Sequence, residues 1–250
     1  NIEYDCSYSI YDYSQCWNER RGVCQAYSEL FVVLARHCGL NAELIRGNCR
    51  TLAHLDGKGN HAWVMAETEN GWILIDPTWG AGHVNDDVFY RNDMPEEWFD
   101  VDPYWMIFTH FPDIQNNQML PVSINKSQYY LLPLLNPQAG YWGWNAKETL
   151  DYFLSHPNNK PPFFYLLDKD LVGKFQFESM PFSVEPEKEY SLRIKSLDPT
   201  YKPHGLVQWE QLNDSIYTGI LSATDKQNMN LYIEEEGSLY MHGILNYSYF

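Results

Sequence analysis

Positive charge is scarce in this sequence: 17 Lys and Arg stand against 33 Asp and Glu, for a formal net charge of −16 and an isoelectric point near 4.7. So acidic a chain repels phosphate backbones and anionic lipid, which argues against nucleic acid and membrane surfaces as main partners. No run approaches the roughly 20 apolar residues needed to cross a bilayer. No charged-then-apolar leader opens the chain, so any export signal is expected to have been removed or never present. There is no Cys-x-x-Cys pair, which argues against a structural zinc site. Nor is there a glycine-rich phosphate cradle or dinucleotide fingerprint, and no cofactor or metal is expected. Internal repeats and low-complexity segments are also missing.

What the chain does hold is apolar and aromatic mass. Of its 250 residues 44% are hydrophobic and 16% aromatic, with nineteen tyrosines. That excludes disorder and suits β-rich surfaces or a cleft for an extended polymer. The length fits one large domain or two modest ones. Five cysteines, at positions 6, 16, 24, 38 and 49, crowd the first fifth of the chain. An odd number leaves at least one thiol without a partner in the chain.

Periodicity predicts a helix over residues 21–40, with Tyr27, Leu30, Phe31, Leu34 and Cys38 on one buried stripe. Gly39 is its expected stop, with Arg36 and His37 in the last turn. Residues 41–47 read as a strand and 49–60 as a loop. Strands are expected at 61–66 and 72–77, and the Pro- and Gly-bearing stretch 77–82 then leaves the sheet. Residues 84–120 lack periodicity and are expected to form long structured loops. A helix over 146–155 follows, with Asn145 as N-cap and Pro157 behind it. Beyond about residue 163, short strand-like runs at 174–177, 189–195, 206–212, 215–221, 229–234 and 238–249 suggest an Ig-like β-sandwich. The fold class is therefore α+β, with a catalytic domain over 1–160 and a β-sandwich over 161–250. The boundary is placed at the turn formers of 158–162.

Cys24 stands at the start of the amphipathic helix, where the helix dipole and free backbone N–H groups favour a thiolate, the nucleophilic form. Arg20 and Arg21 add positive charge nearby. Cys38, near the far end, lacks this setting. His61 opens one expected strand and Asp76 closes the next. A four-residue loop 67–70 would set Ala66 opposite Gly71 and His61 opposite Asp76, close enough for the carboxylate to hold the imidazole. A tight Asn70-Gly71 turn would instead set His61 opposite Gly80. The longer loop is preferred because it assembles a chemistry: Asp76 orients His61, which forms an ion pair with Cys24 and later protonates a leaving group. The plain alternative is a cross-strand polar pair with no catalytic duty.

The motifs Gly22-Val23-Cys24-Gln25-Ala26-Tyr27, His61-Ala62-Trp63, Gly71-Trp72 and Asp76-Pro77-Thr78-Trp79-Gly80 resemble the transglutaminase-like superfamily. That resemblance implies a papain-like catalytic core and maps Cys24, His61 and Asp76 onto a catalytic triad. The run PYWMIFTHFP at 103–112, with Gln118-Met119-Leu120-Pro121, resembles the kyphoscoliosis-peptidase type branch and extends the likeness to about residue 135. Members usually carry a helix ahead of a segment like Asn1-Ile2-Glu3-Tyr4-Asp5. The family's upstream oxyanion helper is thus expected to be missing, with Gln15, Trp17 and Asn18 as nearby substitutes. The backbone N–H of Cys24 is the other expected oxyanion donor.

Trp63 and Trp79 flank the His and the Asp, either as cleft walls or as core aromatics. His83 reads as a surface residue and His110 as a structural hydrogen-bonding residue. The acidic stretch from Asp86 to Asp100 lacks a calcium-loop pattern and reads as a solvated face. Cys6 and Cys16, ten residues apart, are a candidate disulfide, and Asn125, Asn213 and Asn246 are sequons. The function expected is thiol-dependent acyl chemistry on amide bonds. Water as acceptor makes a cysteine peptidase or amidase; an amine makes a protein-glutamine transamidase. The alternative is a catalytically silent scaffold that binds a protein or polysaccharide through its cleft and sandwich. Expected partners are a protein or peptide substrate and a cell-surface polymer, in an extracytoplasmic setting, because such appended sandwiches are common on secreted proteins.

Overall fold

The computed structural model describes every residue except 1, 6, 8, 162, 165–170, 186, 206, 223–228, 237–240 and 248–250. The chain divides into two units, Asn1–Pro137 and Gln138–Phe250. The turn formers at 158–162 fall inside the second unit, as does the helix over 146–155. No helix among the described residues is long and apolar enough to cross a membrane.

The first unit begins with β1 (Glu3–Tyr4), α1 (Tyr13–Glu19), β2 (Arg21–Gly22) and α2 (Cys24–His37). Asp12 caps α1 by accepting the N–H groups of Ser14 and Gln15, a short helix that periodicity does not reveal. β1 and β2 pair in parallel. The expected helix start at Arg21 is therefore corrected: Arg21 and Gly22 are strand, and Val23 is an extended N-cap at φ −85°, ψ 174°. Gly22 is required there, because a Cβ would sit 2.8 Å from Cys16 Sγ and 2.9 Å from the Ala26 methyl. Val23 N–H donates to Ile10 O at 3.0 Å. Ile10 N–H in turn joins the N–H and hydroxyl groups of Ser7 and Ser9 on the buried Asp5 carboxylate. The residue before Cys24 is thus fastened to a loop that one carboxylate organises.

The buried stripe of α2 also differs from expectation. Ala26, Tyr27, Ser28, Leu30, Val32 and Ala35 are buried, whereas Leu34 and Cys38 are exposed. Tyr27 and Leu30 are buried as expected, Phe31 packs half-buried against the core of the sheet, and the small side chains of Ala26, Ser28 and Ala35 join them. Gly39 ends the helix at φ +84°, as its position predicted.

The chain continues through β3 (Ala42–Cys49), β4 (Gly59–Thr68), β5 (Gly71–Ile75), α3 (Pro77–Ala81), β6 (Gly82–Asn85), β7 (Val88–Arg91), α4 (Pro103–Met106), β8 (His110–Pro112) and α5 (Lys126–Leu131). One four-stranded sheet forms in the order β5-β4-β3-β8, all pairs antiparallel. Val32, Ala35, Ala42, Val64, Ala66 and Ile75 make the core between α2 and this sheet. Residues 84–120 are not merely loops: they supply β8, which closes one edge. Gly47 permits that pairing, since a Cβ there would meet Phe111 O at 2.1 Å.

The β4–β5 hairpin overturns the preferred four-residue loop. Thr68 faces Gly71 and Val64 faces Ile75, so only Glu69 and Asn70 lie in the turn. Thr68 Oγ1 donates to Gly71 O at 2.9 Å and accepts from Asn70 N–H at 3.2 Å, and Gly71 supplies φ +114°. Continuing that register puts Asp76 opposite Trp63 and makes it the diagonal neighbour of His61.

The second unit holds α6 (Ala146–Ser155), whose cap Asn145 accepts Glu148 N–H at 3.0 Å, as the sequence predicts. Strands β9 (Phe163–Phe164), β10 (Phe175–Ser179), β11 (Glu189–Ser196), β12 (Tyr201–Gly205), β13 (Glu210–Gln211), β14 (Ile216–Ser222), β15 (Met229–Glu235) and β16 (Met241–Tyr247) follow. They form two antiparallel four-stranded sheets, β10-β11-β14-β13 and β12-β15-β16-β9. Of the single strand expected over 206–212, only the two-residue β13 forms among the described residues, because Gly205, which ends β12, turns the chain at φ +70° ahead of that span. Leu192, Ile194, Leu231 and Ile233 alternate inward and are fully buried.

Candidate active site

The site is built where β5 runs out. Ile75 is the last residue of β5 and faces Val64, so β4 has no ladder partner on that side from His61 to Trp63. In a strand the N–H and C=O of one residue point to the same side and need partners there. Those of Ala62 find them on α2: the Ala62 N–H donates to Cys24 Sγ, and the Ala62 carbonyl accepts Ser28 Oγ at 3.0 Å. Cys24 and Ser28 are four residues apart, hence on one face of the helix. The helix occupies the edge that β5 vacates, and this brings the thiol to His61.

Cys24 is the first residue of α2 and is half-buried. Burial disfavours its thiolate, but the hydrogen bond and charge of His61 and the Ala62 N–H outweigh it, and its pKa is lowered. Cys49, also near the site, is buried, and burial, with the charges of Asp76 and Cys24 acting in the same direction, pushes its thiol up to about 12. Cys16 is a buried free thiol with a raised pKa, and Cys38 is free and exposed. The pairing suggested for Cys6 and Cys16 lies outside the described residues, because Cys6 is not among them.

His61 Nε2 lies 2.7 Å from Asp76 Oδ2. That commitment leaves Nδ1 as the ring nitrogen for the Cys24 contact. His61 is itself buried, which opposes its charge. The Asp76 carboxylate and the Cys24 sulfur more than compensate and raise its pKa to about 10. Asp76 is fully buried and ends up well below the usual carboxylate range. Its burial is overcome by the charge of His61 and by hydrogen bonds from His110 and His61. The two carboxylate oxygens divide the work. Oδ1 caps α3 by accepting Thr78 N–H at 2.9 Å and Trp79 N–H at 3.0 Å. Oδ2 takes His61 and, at 3.0 Å, His110 Nε2.

His110 comes from β8, two strands from His61. Cys49 pairs with His110 and Gly47 with His61, which sets both imidazoles on one face of the sheet. The expectation that His110 is a hydrogen-bonding residue holds; that its partner is the Asp76 carboxylate was not visible, because no periodic pattern marks a three-residue strand. The ligand-type atoms of His61, Asp76 and His110 lie within 4.8 Å of one another. Both histidines, however, make contacts of hydrogen-bond length to the same carboxylate oxygen, which leaves no room for a cation between them.

Aromatic rings enclose the cluster. Trp63, 1% exposed, stacks behind His61 at 6.2 Å and meets His110 edge-on at 4.9 Å. Trp79 is half-buried, 5.2 Å from His61 and 4.5 Å from His110, and Trp98 closes the other side at 4.8 Å from Trp79. Trp63 is therefore interior backing, while Trp79 keeps a surface. Gln15 and Trp17 lie on exposed turns of α1. Gln15 donates to Glu19 at 2.8 Å, and the Arg20 guanidinium sits 4.3 Å over the Trp17 ring. His83 is exposed and stacks on Tyr90, as a surface residue would.

Residues 1–77 match the family model described as the transglutaminase-like superfamily. Kyphoscoliosis peptidase of Mus musculus and that of Homo sapiens are each 26% identical to this chain over 227 residues, covering 82% of the chain. The match spans 32% of the relatives' own length. Residues 1–77 of the first unit thus resemble the transglutaminase-like superfamily, and the chain is similar over most of its length to kyphoscoliosis peptidase.

Proposed function

We propose that this chain performs thiol-dependent acyl chemistry on amide bonds through Cys24, His61 and Asp76, as a cysteine peptidase or amidase. One observation carries the reading: a half-buried thiol at the first residue of a helix contacts an imidazole that a buried carboxylate holds at 2.7 Å. The thiolate attacks the amide carbonyl carbon, forming a C–S bond as the carbonyl π pair moves to oxygen. Backbone N–H groups in the first turn of α2, that of Cys24 foremost, are the donors for this oxyanion. On collapse the C–N bond breaks and the His61 Nδ1 proton passes to the departing nitrogen. The thioester left on Cys24 then yields to water, deprotonated by His61, or to an amine, which gives transamidation. Protein or peptide substrates fit the printed name of the relatives, which are peptidases. The two sheets of the second unit support an Ig-like sandwich, whose role on this reading is docking on a partner polymer.

The test is alkylation with iodoacetamide at mildly acidic pH, read by mass spectrometry, with trapping of an acyl-enzyme from a peptide library. Selective labelling of Cys24 and a trapped thioester are expected. Cys24→Ala removes one atom at a partly open position and is expected to abolish turnover with the fold intact. Uniform slow labelling of every accessible thiol, or full activity in that variant, defeats the reading.

A further inference from the structure

Asp76 Oδ2 holds two imidazoles, and only one of them faces the thiol. His110 is 1% exposed, with Nε2 3.0 Å from Oδ2 and Nδ1 2.8 Å from Thr109 Oγ1. The groups that face it are few. Asp76 approaches from the start of α3, His61 from β4 and the thiol of Cys49 from its pairing position on β3; the rings of Trp63, Trp79 and Trp98 complete the wall. Two imidazolium ions 5.2 Å apart on one carboxylate would leave an excess positive charge in an apolar box. Burial, aided by the charge of His61 and opposed by Asp76, takes His110 down to about 4. A neutral imidazole carries one N–H. A carboxylate only accepts, so that N–H is on Nε2. Nδ1 is then an acceptor, and the Thr109 hydroxyl is the donor in reach. The same hydroxyl lies farther, 3.2 Å, from Met106 O.

We propose that His110 is a positioning residue for the Cys24–His61 pair: a neutral imidazole, locked as its Nε2–H tautomer by the Thr109 hydroxyl, that keeps Asp76 ionised and aligned and leaves the carboxylate's charge to His61. This rests on the thiol-acyl reading above. The physical argument is one of saturation. With Oδ1 bound by two backbone N–H groups and Oδ2 by two imidazoles, each carboxylate oxygen accepts two donors and the group cannot rotate without losing them. Without His110 a buried acceptor site is empty, and Asp76 takes a proton at higher pH. The charge that holds His61 protonated then disappears from the acid side.

The experiment measures the pH dependence of iodoacetamide alkylation at Cys24 in the whole chain, beside the imidazole ¹⁵N spectrum of the wild type. His110→Phe keeps a ring and removes the donor. It is expected to slow alkylation at about pH 5 by about tenfold, the scale of one charge-assisted hydrogen bond, and to move the acid limb upward. His110→Gln restores an N–H donor and is expected to regain most of the rate. Circular dichroism checks that both variants fold. In the wild type, His110 is expected to show a single N–H, on Nε2, unchanged from about pH 5 to about pH 8. An unaltered acid limb in His110→Phe, or a ¹⁵N spectrum showing an imidazolium or an Nδ1–H at His110, overturns the inference. If His110→Phe fails to fold, the ¹⁵N spectrum and the Gln variant decide. A wild type without acid-shifted labelling of Cys24 points instead to failure of the acyl reading, so the two failures are told apart.

Discussion

Asp76 serves two structures with its two oxygens, and this makes it separable by a single substitution. In Asp76→Asn the retained Oδ1 can still accept the N–H groups of Thr78 and Trp79, so the start of α3 survives. The new amide nitrogen, however, meets two imidazole nitrogens that need an acceptor. Turnover is expected to fall by about a thousandfold or more, with residual thiol reactivity, as when a triad carboxylate becomes an amide. Steady-state kinetics beside a thermal melt check this; unchanged kinetics would leave Asp76 a structural role only. That a Cys, a His and an Asp converge was readable from three spaced motifs. The route by which His61 and Asp76 meet was not. It depends on a turn fixed by the Thr68 hydroxyl and on a strand that stops at Ile75, and neither has a strong local pattern.

At the level of elements, the site needs β8 close against β3, and Gly47 is what allows it. Gly47→Ala would thrust a methyl at Phe111 O, backbone that cannot yield cheaply. Overpacking of this kind costs about 1–3 kcal/mol. Chemical denaturation is expected to show that loss, and Cys24 alkylation to slow with it, because β8 carries His110. A melt equal to wild type would mean that the β3–β8 contact relaxes freely. Long elements with clear punctuation were legible beforehand: α6 matches its Asn145 cap and Pro157 stop residue for residue. Short ones were not. α1 spans seven residues and β8 three, too few for a period to declare itself. α2 starts later than its pattern suggests because Arg21 and Gly22 are drawn into pairing with β1.

For the whole molecule, acidity has a definite sign. Asp5 and Asp76 both sit below the ordinary carboxylate value of 3.8, and Asp198, paired with Lys174, is lowered to about 2. Groups depressed in the folded state stabilise it above their ordinary value and lose that contribution as pH falls through the folded one. His61 acts in the opposite sense: its contribution is complete below 6.5 and is lost as pH rises through about 10. With His110 held down to about 4, a further loss begins as pH falls below 6.5, so thermal stability is expected to peak near pH 6.5, to decline on either side of it and to drop further below about pH 4 as the carboxylates lose their share. Melting temperatures across that range check it, and a maximum below pH 4 would contradict the assignment of these carboxylates. All of the proposed chemistry lies in the first unit.

The half-open indole of Trp79, in ring contact with His61, has one more consequence. A charged imidazole quenches a neighbouring indole's emission far more than a neutral one does. The proton on which the nucleophile depends is thus watched by a built-in lamp, and its arrival or departure dims or brightens the light without any label being added.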